Sequence, residues 1–289
     1  MSSENSIITE GLTPSLDVPS SSTSRTSRSP SPSSSIVSLN ENKVLKRLAD
    51  QLSNIFYEGN QSGQEDSEVE RNIINHIHKS HFEPVQVFRW LSKNKDTFQY
   101  QSLLGYFYGH EIGVEVDKRK AYTFFLNAAK KNDNLAQYFV GASYLEGSGA
   151  KQDYELAFRW FEKAANGGCS NGLCALGYCY LNGYGVFKDE LKGVTFYKKA
   201  IEAGNNYAMN RLGYCYQYGK GTKRDSRKAF EMYLKSAEKG CDSGAHDVAE
   251  CYRKGIGTEV NLEQAEYWEE KYRASLIYVS LTYFTSSTS

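Results

Sequence analysis

The feature that most limits what this chain can become is a spacing of 36 residues. Gly105, Gly141, Gly177 and Gly213 stand 36 apart, and Ala249 takes the fifth place. Tyr108, Tyr144, Tyr180, Tyr216 and Tyr252 keep the same step, as do Ala121, Ala157, Ala229 and Ala265 with Gly193 among them. A unit of this length written five times is a supersecondary element that buries its apolar face only against its neighbours. Such an array grows along an axis and has no single round core.

Each unit reads as two helices. In Asn134 to Gly168, Ala136, Val140 and Tyr144 fall four apart and share one helical face. Gly147 and Gly149 end that helix. Asp153 then stands where an N-cap is needed, since its carboxylate can accept bonds from the free backbone N–H groups of the next turn. The same place holds Asp117, Asp189, Asp225 and Asn261, and Gln264 offers the last unit a capping box. Ala157, Trp160, Phe161, Ala164 and Ala165, three and four apart, make the second helix. Gly168, Gly204 and Gly240 follow it, where a helix C-terminus favours positive φ.

A unit reading small-x-x-x-Leu-Gly-x-x-Tyr-x-x-Gly-x-Gly, then Asp, Lys-Ala, an aromatic and Ala-Ala, resembles the Sel-one-like repeat (SLR) of the tetratricopeptide-type helical repeats. Residues 206–240 match almost every motif position, and the resemblance covers about 98–273. Departures are local: Glu111 replaces a loop glycine, Gly193 the second-helix alanine and Ala249 the first-helix glycine. The resemblance implies an all-α, right-handed α-solenoid of five 36-residue helix-turn-helix repeats, with the first helix of each unit on the concave side. It also implies a non-catalytic adaptor that binds protein partners. Similar arrays abound in fungi, some joined to kinase-like domains, which this chain lacks.

Composition agrees with a binding scaffold. Lys plus Arg equals Asp plus Glu at 34 each, so no net charge draws the chain to nucleic acid or an anionic membrane. Aromatics reach 13% with 22 tyrosines, which suit both inter-helix packing and a recognition surface. Five of the six cysteines sit at repeat positions: Cys179, Cys215 and Cys251, and Cys169 with Cys241. They lack paired zinc-ligand spacing and read as small buried thiols. Nor does a ladder of disulfides fit, since stacked helices lie roughly 8–10 Å apart and a bridge needs Cα atoms within about 7 Å.

Outside the repeats, residues 1–40 form a Ser/Pro-rich tail too poor in apolar residues to fold, with Ser29-Pro30 and Ser31-Pro32 as candidate phosphorylation sites. Val44, Leu45, Leu48, Leu52, Ile55 and Phe56 predict an amphipathic helix within 41–57. Residues 68–97 hold two more helices that cap the array, so that 41–97 is an N-terminal helical cap and 98–274 the repeats. His76, His78 and His81 do not share one helix face as a metal site would require. Residues 275–289 are an apolar tail, read as an irregular cap over the last helix. Neither a signal peptide nor a run of about 18 apolar residues is present, and a cytoplasmic location is the expectation.

The catalytic patterns are missing: no Gly-rich loop after a strand, no G-x-S-x-G, no H-E-x-x-H. Gly183 and Gly185 look like G-x-G, but they recur as Gly219 and Gly221, and a nucleotide site would be written once. The adaptor reading needs no cofactor and no small-molecule substrate. Its partners would be signalling components such as kinases, or one enzyme subunit whose assembly or quality control the protein serves. Counted from the motif glycine, offsets of minus three, plus one and plus four form one face of the first helix that the core does not use. That face holds Tyr106, Tyr138, Leu145, Tyr178, Leu181, Asn210, Tyr214, Gln217, His246, Glu250 and Arg253. These are the expected partner-binding residues, an aromatic row passing into a polar end.

Overall fold

The computed structural model describes residues 32–285, with side chains for 39–275. Two units are distinguished, a short one ending at Glu41 and a second, Asn42–Ser289, which carries all the packing below. The described residues form thirteen helices and no strand. After α1 (Pro32–Gln61), α2 (Asp66–Lys79) and α3 (Pro84–Lys93) come five helix pairs: α4 (Phe98–Gly109) with α5 (Lys118–Ala129), α6 (Asn134–Glu146) with α7 (Tyr154–Asn166), α8 (Ser170–Asn182) with α9 (Glu190–Glu202), α10 (Tyr207–Tyr218) with α11 (Ser226–Glu238), and α12 (Asp242–Lys254) with α13 (Leu262–Thr285). From α2 onward each helix packs on the next, as a solenoid requires.

The recurring residues each have a mechanical job. A Cβ on Gly141, Gly177 or Gly213 would stand 2.6, 2.6 or 2.7 Å from the ring of Phe161, Tyr197 or Tyr233, so the first helix must lack a side chain where the second helix presses an aromatic ring on it. The capping aspartates do what their spacing predicts. Asp117, Asp153, Asp189 and Asp225 accept from the backbone N–H of Lys120, Leu156, Lys192 and Lys228 at 2.9–3.1 Å, and Asn261 accepts from Gln264 at 3.0 Å. Their own N–H groups donate at 2.8–3.0 Å to the carbonyls of Tyr108, Tyr144, Tyr180, Tyr216 and Tyr252. Those tyrosine rings reach back to the preceding repeat: Tyr144 meets Tyr122, Tyr180 meets Phe158 and Tyr252 meets Phe230, edge to face. Gly168, Gly204 and Gly240 all have positive φ, and all six cysteines are free and buried.

The ends depart from expectation. Helix α1 already runs from Pro32, ahead of the boundary at residue 41, while the serines of both Ser-Pro pairs lie outside the described residues. The chain after Ala274 is no irregular cap, because α13 continues unbroken to Thr285. More consequential is the N-terminal segment. Helix α3 packs on α4 as a cap would, but the corner between α1 and α2 is laid across the whole array. Tyr57 donates to Asp133. The Gln61 carbonyl accepts from the Ser170 hydroxyl at 2.5 Å, the Ser62 carbonyl from the Asn206 N–H at 2.8 Å, and Glu65 from the Ser243 N–H at 2.7 Å. Arg71 donates to the Ser275 carbonyl at 2.9 Å. Fifteen residues thus touch the start of each successive first helix from α6 to α12 and then α13. Gly63 makes the bend possible, with φ at +65° and its Cα turned directly against the Asn205 amide.

Candidate functional site

A groove of about 480 Å³ crosses the first helices of repeats two, three and four. Tyr138, Ala142, Leu145 and Glu146 of α6 line one side, Asn171, Ala175 and Tyr178 of α8 the floor, and Tyr207 and Arg211 of α10 the other side. Counted from the motif glycine, the expected rows at minus three, plus one and plus four reach the groove at repeats two and three, through Tyr138, Leu145, Cys174 and Tyr178. The groove also takes in offsets of minus six, minus two and plus five, which lie further around the helix, and α10 lines it only from that side, with Tyr207 and Arg211.

This rotation decides the fate of each expected residue. Tyr138, Leu145 and Tyr178 line the groove. Tyr214 joins them through Arg211, whose guanidinium lies 5.9, 5.7 and 5.5 Å from the ring centres of Tyr178, Tyr207 and Tyr214. Leu181 and Asn210 do not face outward: both are buried, and Asn210 donates at 2.6 Å to Asp247 of the next repeat. Gln217 is turned to its partner helix, where it accepts from the Tyr233 hydroxyl at 2.7 Å. Tyr106 is fully buried, stacked on His110 and covered by Phe56 of α1, with its hydroxyl donating to the Asp66 carbonyl at 2.9 Å. At repeat one the N-terminal helices cover this position. In repeat five, Glu250 and Arg253 pair with each other, Arg253 reaches Glu269 of α13 at 3.5 Å, and exposed His246 packs edge-on against Tyr272. These three belong to the seam between α12 and α13, outside the groove.

Arg211 and Tyr197 are the functional candidates that the repeat pattern did not name. Arg211 has no carboxylate partner among the described residues, although an arginine this enclosed ordinarily pairs. The Tyr197 hydroxyl is buried behind the groove, with the Arg211 guanidinium as its hydrogen-bonding neighbour. Burial raises its pKa far above the ordinary tyrosine value, so it stays a neutral O–H group. At the other end Glu146 is pushed up by burial and by the nearby Asp66. The groove is thus apolar and aromatic along its length, cationic at one end and acidic at the other.

The sequence pattern of the family described as Sel1 repeat matches residues 99–133, 134–169, 170–205, 206–241 and 243–271. Among solved structures, the chain is similar to a Sel1 repeat protein from Oxalobacter formigenes, with 28% identity and a TM-score of 0.55 over 73% of this chain and 83% of that one. It is also similar to c5321, a protective antigen of uropathogenic Escherichia coli with an SLR fold, at 27% identity and a TM-score of 0.53 over 78% of this chain. The match spans 48% of c5321, about half its length. No match was found among curated proteins. No helix among the described residues is long and apolar enough to cross a membrane.

Proposed function

Because the chain belongs to the Sel1 repeat family, whose members generally serve as protein-interaction scaffolds, we propose that it is a non-catalytic adaptor that seats a partner protein in the groove across α6, α8 and α10. The observation that carries this reading is the groove itself. Tyr138, Leu145 and Tyr178 offer rigid apolar area without a covering element, while the equivalent Tyr106 is covered by α1. Tyrosine-rich concave surfaces with one polar anchor suit an extended or helical segment of a partner. The ring partners of Tyr178 and Tyr214 are Tyr184 and Tyr218, each in the same repeat, and Tyr178 meets the next repeat only through the Arg211 guanidinium among its ring contacts. We assign the protein to signalling-complex assembly in the cytoplasm, with kinases as one class of partner.

The test is affinity purification with wild type and the Tyr178→Ala/Tyr214→Ala variant as baits, beside a thermal melt of each. Partner recovery should collapse with the variant while its melting temperature moves by only a few degrees. Retained partners with a sharply lowered melting temperature would remove the groove from the reading. Kinases and their regulators among the specific partners fit signalling, whereas one stoichiometric enzyme subunit points to an assembly factor.

A further inference from the structure

We propose that Arg211, backed by Tyr197, is a receptor for a single carboxylate, the side chain of a glutamate or aspartate carried by the partner's peptide. This rests on the groove being the partner site and names the chemistry recognised there. Three observations converge. First, Arg211 is a permanent cation without a carboxylate partner among the described residues. The rings of Tyr178, Tyr207 and Tyr214 surround it, all within 5.9 Å, and fix its plane by cation–π contact. Rings hold the charge without consuming the N–H donors, and with one donor turned to the Tyr197 hydroxyl the others remain for an oxygen acid. Second, Tyr197 stands behind that guanidinium, fully buried, with its hydroxyl against Arg211, so what backs the arginine is a neutral group and not a counter-ion. Third, the groove is long enough, at about 480 Å³, to hold more than the acidic side chain, and Tyr138 and Leu145 offer apolar contact to its neighbours.

The charge count selects a carboxylate over a phosphate. The groove lining supplies one arginine and one carboxylate, Glu146, beside which Asp66 and Lys118 act in opposite directions. A phosphoryl group with nearly two negative charges would meet a single lining cation, with Lys118 at the far end already balanced by Glu146 and Asp66. A monoanion matches a single guanidinium, which grips both carboxylate oxygens in plane. The acidic end favours a neutral or basic residue in the adjoining part of the same peptide.

The experiment begins with selection from a phage-displayed library of random linear peptides on the wild-type protein, followed by fluorescence polarisation with synthetic versions of the winners. Clones should share a Glu or Asp at one position. Replacing that residue by Gln in the peptide should weaken binding to wild type by roughly ten- to a hundredfold. The same replacement should cost nothing further against Arg211→Gln, which closes the cycle on one interaction. Arg211→Lys, which keeps the charge and loses the planar fork, should weaken the acidic peptide about tenfold. If Arg211→Gln does not fold, Arg211→Lys carries the test by the same cycle. The idea is overturned by failure to select any peptide, by winners without an acid, by a phosphoserine version binding tighter than the glutamate one, or by a Glu-to-Gln penalty that persists in Arg211→Gln. Winners that are lost with Tyr178→Ala/Tyr214→Ala but indifferent to Arg211→Gln would leave the adaptor reading standing and remove only the carboxylate.

Discussion

Gly177 shows how little space one residue leaves between the helices of a repeat. Its missing side chain faces the Tyr197 ring at 2.6 Å and the Gly193 carbonyl at 3.0 Å, so a larger residue has to displace both a ring and a backbone. The departure at Gly193, where other units have alanine, belongs to the same contact: a Cβ there would lie 2.9 Å from the Gly177 carbonyl. In repeat three the two helices approach so closely that both faces give up their side chains. Gly177→Leu should therefore overpack the α8–α9 contact and destabilise the protein by roughly 1–3 kcal/mol or more, read as a lowered midpoint in a denaturant melt. It should also disturb Tyr197 and so weaken partner capture, whereas a midpoint equal to wild type would mean that the glycine serves something other than close packing.

Helix α2 carries a charge arrangement that makes stability depend on pH. Glu68 lies with Arg71 against Asp242 of α12, and its pKa is raised to about 7, first by burial and then by Asp242, against an opposing pull from Arg71. Its ordinary value is 4.5, so between these two values the folded protein holds a proton that the unfolded chain has released. The sign follows: this residue costs nothing below about 4.5, erodes stability as the pH climbs towards 7, and exacts its full cost above that. Glu68→Gln should accordingly raise the melting temperature relative to wild type at pH 8 and leave it nearly unchanged at pH 4.5. Equal differences at both values would show that Arg71 neutralises the carboxylate completely. The capping aspartates act in the opposite direction. Asp117 and Asp225 are held below the usual carboxylate value by the backbone N–H groups they accept from, so their contribution is lost only as acid protonates them.

Across the whole molecule, the α1–α2 corner joins elements that a simple solenoid keeps independent. An ordinary repeat array transmits strain only to nearest neighbours, but here one bend touches the starts of α8, α10 and α12 through Gln61, Ser62 and Glu65. Gly63→Ala places a Cβ at positive φ, worth roughly 1–2 kcal/mol by itself, and drives it into the Asn205 amide. Amide hydrogen exchange should then quicken at the beginnings of all three helices together. Faster exchange confined to one repeat would mean that the corner rests on the array without coupling its parts. The same segment explains why the groove starts at repeat two. Helix α4 is buried at every position from Tyr100 to Phe107, because the face that its counterparts leave open is filled by α1.

The sequence alone was enough to determine the repeat, its two helices, their caps at Asp117, Asp153, Asp189 and Asp225, and the glycines that admit an aromatic ring. Each of these is a local requirement, satisfied within a few residues or between adjacent helices, and a period of 36 repeats it in plain view. Tertiary structure alone decided which side of the first helix became a groove. Offsets of minus three and minus two both neighbour the plus-one row at helical spacing, so periodicity cannot choose between Asn210 and Arg211. The choice comes from how α10 is rotated against α8 and α12, which buries Asn210 beside Asp247 and turns Arg211 to the tyrosines. The non-repeating residues 57–71 carry no period to be read, and their place across the array follows from hydrogen bonds to residues 76 to 204 positions away. Pairings at that distance exist only once the repeats have stacked and brought their helix starts into line.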